Sequence, residues 1–105
     1  MTASTPKTIT DPRLLVGSWI GFVPCRGCAM DFRANLLVRD DATWIVSVVQ
    51  GGTYQGYLGI VEGVLRWGQG GRWVGHLTVV EQRGREYLSI VRENGTVWTE
   101  FERTR

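Results

Sequence analysis

The sequence predicts an all-β protein in which eight antiparallel strands close into an up-and-down barrel. Short runs of β-forming residues alternate with turn signals about every ten residues, and no window carries apolar residues at helical spacing over three turns. Tight connections make neighbouring strands pair antiparallel. Closure removes the two exposed edges that an open meander would keep. A two-sheet sandwich is the alternative, for which only the 24–31 connection is long enough to cross over.

Each predicted strand is a β-rich run bounded by glycine or charged turn residues. In chain order the runs are Leu15–Val23, Phe32–Val38, Thr43–Val49, Thr53–Val61, Val64–Trp67, Arg72–Val80, Glu86–Arg92 and Thr96–Arg103. Asn94-Gly95 is the strongest hairpin signal and predicts a type I′ turn. Alternation in the last run places Trp98 and Phe101 on opposite faces, so one of them is expected outside.

The length and net charge of the chain limit the number of domains and the classes of binding partner. The 105 residues suffice for one domain, with residues 1–12 expected as a flexible tail and 13–105 as the barrel. A net charge of +2 with scattered arginines predicts no nucleic-acid partner. No apolar run is long enough for a membrane span or a secretory signal. We therefore expect a cytoplasmic protein without a membrane partner, or an envelope protein if the natural chain begins upstream.

A surplus of aromatic residues is the strongest feature for small-molecule binding. Eight-stranded barrels can be filled by side chains or can hold one small ligand, and tryptophans at a barrel mouth supply flat apolar walls. Core packing and cross-strand pairing are the alternative use of such residues. The residues expected to contact a ligand are Trp44, Tyr57, Trp67, Trp73 and Tyr87.

Catalytic signals are sparse. His76 is the only histidine and falls within a predicted strand, and no serine occupies a nucleophile-elbow motif. Glu100 and Glu102 share a strand face that is expected to be solvated. The sequence therefore predicts a binding protein that is not an enzyme and has no cofactor.

Two cysteines in a C-x-x-C motif follow the first predicted strand. Cys25 and Cys28 could form a dithiol–disulfide couple or half of a soft-metal site. A complete metal site would need further ligands, for which His76 and Asp31 are the candidates. Unreactive thiols, or a disulfide that braces the loop, remain the alternative.

Gly17, Trp19 and Arg103 carry a resemblance to the calycin group of lipocalins, fatty-acid-binding proteins and avidins. The first and last strands are neighbours in a closed barrel, so Trp19 could plug its floor with Arg103 stacked on the indole. G-x-W opening the first strand, followed by a β meander and a late arginine, resembles the calycin pattern. The resemblance implies a ligand-binding barrel in which Gly17 and Trp19 are structural.

Residues 17–44 also resemble the N-terminal domain of the NlpE copper-homeostasis lipoprotein family. The similar residues are G-S-W-I-G-F-V-P-C-R-G-C and the later stretch Leu36–Trp44, in which Ala42 replaces the family's turn glycine. This resemblance implies metal binding or thiol-redox sensing through Cys25 and Cys28.

Three functions follow from these observations. The first is binding of a small apolar or aromatic molecule inside the barrel. The second is redox or soft-metal (copper or zinc) sensing at the cysteine loop. The third is a protein-interaction or oligomerisation barrel that docks a partner through an outward Trp98.

Overall fold

Residues 5–24, 27–49 and 51–104 are described by a computed structural model. Within these ranges the chain forms strands and one short 3-10 helix, Pro12–Leu15. The strands, in chain order, are β1 Thr5–Lys7, β2 Gly17–Val23, β3 Phe32–Val38, β4 Thr43–Val48, β5 Gly52–Val61, β6 Val64–Gln69, β7 Arg72–Gln82, β8 Arg85–Arg92 and β9 Val97–Arg103.

Strands β2 to β9 form a closed antiparallel barrel with up-and-down order. Each strand pairs with the next along the chain, and β9 returns to β2. The closing register places Trp19 opposite Arg103 and Gly21 opposite Phe101. The predicted fold class is therefore confirmed, and each of these eight strands has a hydrogen-bonded neighbour on both sides.

The core lies inside the barrel because alternate residues of each strand point inward. In β3, Ala34, Leu36 and Val38 are buried, whereas Arg33 and Asn35 between them are exposed. The same period of two recurs in β4 and in the middle of β7. Buried residues from β2 and β9 complete the core, and its largest fully buried side chains are Trp19, Phe101, Leu15, Leu88, Val38 and Val46.

Part of the segment that was expected to be a flexible tail is ordered on the barrel. β1 pairs antiparallel with β7, placing Thr5 opposite Glu81 and Lys7 opposite Val79. This pairing is possible because β6 covers only the Arg72–His76 half of the same β7 edge. The edge that β6 leaves open supplies backbone partners to a segment with no strand signal of its own.

The 3-10 helix starts where the sequence places Asp11-Pro12. The Asp11 carboxylate accepts a hydrogen bond of 2.9 Å from the backbone N–H of Arg13, and Pro12 occupies the first helical position. The helix ends at the fully buried Leu15. No helix in the described ranges is long and apolar enough to cross a bilayer.

The β8–β9 hairpin differs from the predicted type I′ turn. Gly95 has a φ of 87°, but Asn94 does not have a positive φ. The N–H of Gly95 donates to the carbonyl of Arg92, and the N–H of Arg92 donates to Thr96. This is a three-residue loop with its last residue in the left-handed region. The Asn94 side chain accepts from the Thr96 N–H at 2.9 Å, which favours this geometry over the two-residue turn.

Candidate functional site

One end of the barrel is closed by Trp19 and the 3-10 helix. Trp19 is fully buried, and its indole N–H donates to the carbonyl of Leu15 at 3.0 Å. Gly17 has a φ of 132°, which directs the chain from the helix into β2. We call the region formed by Leu14–Gly17, Trp19, Glu86 and Arg103 the closed end.

Arg103 completes the closed end, and its guanidinium is fully engaged. The guanidinium carbon lies 4.4 Å from the centroid of the Trp19 ring, as the sequence predicts. Its nitrogens donate to the carbonyls of Val16 at 2.9 Å and Leu14 at 2.7 Å, and to the carboxylate of Glu86 at 3.0 Å. The arginine thus ties the last strand to the segment that precedes β2.

Glu86 is shared between two cations at this end. Burial acts to raise the pKa of its carboxyl, but the hydrogen bond from Lys7 and the charge of Arg103 outweigh burial and lower that pKa. The Lys7 ammonium lies 3.1 Å from the carboxylate, and Lys7 belongs to β1. Glu86 therefore links β1 to the barrel closure, which is a structural role.

The middle of the barrel is filled by side chains. The internal cavity has a volume of about 10 Å³ and is lined entirely by apolar residues. Such a space is at the limit for one water molecule and has no polar partner to hold one. A small-molecule ligand enclosed deep within the barrel therefore has no room.

The opposite end carries an open cavity of about 260 Å³, which we call the aromatic cup. Trp44 and Trp67 line both this cup and the small internal cavity, so their rings form the boundary between the two. The two rings meet edge to face, with centroids 5.9 Å apart. The other residues that line the cup are Tyr54, Gln69, Val74, Arg92 and Trp98.

Backbone hydrogen bonds fix the two tryptophans of the cup floor. The Trp44 indole N–H donates to the carbonyl of Tyr57 at 3.1 Å, and that of Trp67 donates to the carbonyl of Val91 at 3.2 Å. A Cβ at Gly75 would collide with the Val91 carbonyl and the Trp67 indole nitrogen. Glycine is therefore required where Trp67 reaches across the sheet.

Two β-bulges turn side chains into the cup. Between β6 and β7, Trp67 is opposite Gly75 and Gly68 is opposite Trp73, which leaves Val74 unpaired. Between β8 and β9, Ile90 is opposite Thr99 and Val91 is opposite Val97, which leaves Trp98 unpaired. An extra residue in one strand breaks the simple alternation of faces, and both unpaired residues line the cup.

The structure corrects the expectation that either Trp98 or Phe101 points outward. Phe101 is fully buried, and Trp98 is half-buried and stacked on Trp67, with ring centroids 6.1 Å apart and an angle of 16° between the planes. The bulge explains the error, because parity counted along β9 assumes regular pairing. An interaction surface based on an outward Trp98 therefore loses the observation that suggested it.

The rim of the cup carries polar side chains that form no hydrogen bond with other described residues of the protein. In the described part of the chain, no hydrogen bond or ion pair involves the side chains of Tyr54, Gln69, Arg92 or Trp98. Tyr54 is 45% exposed and lies at the start of β5. These donors surround the floor formed by Trp44 and Trp67, whose indole N–H groups are already bonded to backbone carbonyls. An apolar surface with a few polar groups that can orient a ligand is typical of small-molecule sites.

The residues predicted to bind a ligand divide between the two sides of the barrel wall. Trp44 and Trp67 are in the cup. Tyr57 and Trp73 lie on the outer face, where their rings form an edge-to-face pair at 5.2 Å and the Tyr57 hydroxyl donates to the carbonyl of Arg72. Tyr87 also lies outside, because it faces Glu102 across β8 and β9 on the solvated side.

The ligand-binding residues predicted from the sequence do not include five residues of the cup, which are Tyr54, Gln69, Val74, Arg92 and Trp98. Tyr54 and Trp98 are aromatic and could have been included, since a position near a strand end places a side chain at a barrel mouth. Gln69 and Arg92 lie beside turns and have no signal beyond that proximity.

Comparison of the chain with protein family models, with curated proteins and with solved structures finds no match. The resemblance of residues 17–44 to the NlpE family thus receives no support from a family model. The closed eight-stranded barrel is consistent with a small calycin-like barrel.

The cysteine loop is only partly described. Cys28 is exposed and disulfide-bonded, and Cys25 lies outside the described residues. A disulfide sulfur is not a thiolate, so Cys28 cannot serve as a metal ligand in this state. His76 lies on β7 opposite Arg66, and the described ranges hold no group of three or more potential metal ligands.

Proposed function

We propose that the protein is a small calycin-like barrel that binds a small aromatic molecule in the aromatic cup. The observation that carries this proposal is the contrast in space: the interior measures about 10 Å³, whereas the cup measures about 260 Å³ and has three indole rings. The proposed site is thus the mouth of the barrel and not its centre.

The volume of the cup and the residues that line it indicate the size and chemical class of the ligand. Its volume lies slightly below the range of about 300–1,000 Å³ for ordinary ligand sites, which favours one or two fused rings. Trp44 and Trp67 present an apolar floor, and Trp98 is stacked on one side of it. Offset or edge-to-face contact with these rings would stabilise a planar aromatic ligand more than a flexible chain of the same area.

The indole N–H signals of the tryptophans provide a test of binding in the cup. The chain has five, of which Trp44, Trp67 and Trp98 are in the cup, Trp19 is at the closed end and Trp73 is on the outer face. Titration of ¹⁵N-labelled protein with indole should shift the three indole N–H signals of the cup and leave the other two in place. Uniform shifts, or none at saturating indole, would contradict the proposal.

A matched pair of variants localises the effect. Trp98→Leu should weaken indole binding by about two- to tenfold, because one aromatic contact is lost. Trp73→Leu removes a half-buried tryptophan of the outer face and should leave affinity unchanged. Equal losses in both variants would place the ligand outside the cup.

A second candidate function is thiol–disulfide exchange at the cysteine loop. The observation that favours it is the exposure of the disulfide-bonded Cys28, since exchange requires that a thiolate can reach a disulfide sulfur. Mild reduction followed by alkylation should label the thiols while the circular dichroism of the barrel is retained. Resistance to reduction under native conditions would contradict this role, and added Zn²⁺ or Cu⁺ tests whether the reduced pair binds a soft metal.

A further inference from the structure

We propose that the ligand of the aromatic cup is an aromatic carboxylate, whose ring contacts the indole floor and whose carboxylate pairs with Arg92. This inference rests on the proposed function and adds the charge of the ligand to it. It starts from the position of Arg92, which lines the cup and has no acidic partner among the described residues.

Three arginines outside the cup are paired with carboxylates. Arg13 lies 2.7 Å from Asp11, Arg85 lies 3.0 Å from Glu102, and Arg103 lies 3.0 Å from Glu86. Arg92, by contrast, has its backbone N–H bonded to Thr96 at the base of the β8–β9 loop, so its Cα is fixed while its guanidinium is uncommitted.

The composition of the cup matches an anion at the rim and a ring at the floor. No carboxylate is present in the described lining, so Arg92 is its one charged residue and the cup favours negative charge. A guanidinium offers two parallel N–H donors to a carboxylate. The Gln69 amide and the Trp98 indole N–H are further donors in the same lining, whereas the N–H groups of Trp44 and Trp67 are held by backbone carbonyls.

The test compares two ligands of nearly the same shape. Indole-3-carboxylate and indole-3-carboxamide are titrated into the whole protein at neutral pH, with the indole N–H signals of the tryptophans as the readout. Wild type should bind the carboxylate about fivefold more tightly, the upper range for an exposed ion pair. Arg92→Gln should abolish that preference while it retains the carboxamide affinity.

A charge-matched control separates a local ion pair from the general effect of net charge. Arg39 is exposed in the turn between β3 and β4 and does not line the cup, so Arg39→Gln should retain the preference. A preference that survives Arg92→Gln, or equal affinity of wild type for the two ligands, would overturn this inference and leave aromatic binding in place. Failure of both ligands to shift the signals of the cup would overturn the proposed function and this inference together.

Discussion

The two ends of the barrel use the same pair of residue types for different purposes. At the closed end, Trp19 is fully buried and Arg103 is bonded to two carbonyls and a carboxylate. At the aromatic cup, Trp98 is half-buried and Arg92 has no side-chain partner among the described residues.

The state of the donors, more than the type of residue, therefore separates the structural cluster from the candidate binding site. A satisfied buried donor stabilises the fold, and its removal leaves partners unpaired. An uncommitted donor at a concave surface adds little to folding and is available to a ligand. The two ends should therefore respond in opposite ways to the same substitutions.

The largest expected effect is on stability at the closed end. Trp19→Ala should lower the free energy of unfolding by about 4 kcal/mol, because it leaves a cavity in the core. Trp98→Ala should cost about 1 kcal/mol, because Trp98 is only half-buried. Urea denaturation of both variants measures the contrast, and similar losses at the two ends would contradict the distinction.

The arginines give the second test. Arg103→Met should lower the free energy of unfolding by about 2 kcal/mol, since it removes a cation–π contact, leaves two carbonyls without their side-chain donor and leaves Glu86 with Lys7 alone. Arg92→Met removes no hydrogen bond of the described residues and should stay within about 0.5 kcal/mol of wild type. Thermal unfolding of the two variants measures this difference. A loss of stability in Arg92→Met as large as that in Arg103→Met would assign Arg92 a structural role.

The two ends also differ in how far the sequence predicts them. At the closed end, the predicted closure of the barrel brings Trp19 beside Arg103, and this contact is confirmed. The 3-10 helix Pro12–Leu15 is not predicted, because the sequence analysis ends the tail at residue 12 and begins the first strand at Leu15.

The aromatic cup depends on two bulges, of which the one between β8 and β9 has no local sequence signal. Alternation predicts faces well where pairing is regular, as in β3. It fails at Trp98, where the β8–β9 pairing shifts between Ile90 and Val91 and the Val91 carbonyl accepts the indole N–H of Trp67 from β6, two strands away. β1 likewise depends on the free edge of β7, which exists only in the folded barrel.

Glu86 at the closed end should also make the free energy of unfolding depend on pH in the acid range. Glu86 has a pKa lowered in the folded state, so its contribution to stability is present above its ordinary pKa of about 4.5 and is lost as the pH falls through the lower folded value. We expect this loss to be smaller than that of a fully buried ion pair, since the carboxylate is partly solvated.

Glu86→Gln is the variant that tests this assignment. Its unfolding free energy should vary less with pH than that of wild type in the same acid interval, as measured by urea denaturation at several pH values. Because no carboxylate lines the described cup, binding of neutral indole should not change across that interval. An acid dependence that persists in Glu86→Gln would assign the effect to other carboxylates.

The smallest expected effect comes from two turns of the same type at opposite ends. Ala42 has a φ of 65° in the β3–β4 turn at the closed end, and Gly95 has a φ of 87° in the β8–β9 loop beside the cup. In both, the left-handed residue donates its N–H to the residue three positions earlier, Arg39 or Arg92. Alanine pays a steric cost in this region that glycine does not.

Exchanging the two residue types tests whether the turns are equivalent. Ala42→Gly should raise the free energy of unfolding by about 0.5 kcal/mol, because the relief of strain exceeds the entropy gained by the unfolded chain. Gly95→Ala should lower it by about 1 kcal/mol for the reverse reason. Thermal denaturation measures both changes. Ala42 packs against the core. If Ala42→Gly were destabilising instead, the lost contacts of the alanine methyl with the core would outweigh the relief of backbone strain, and packing would account for the alanine at this position.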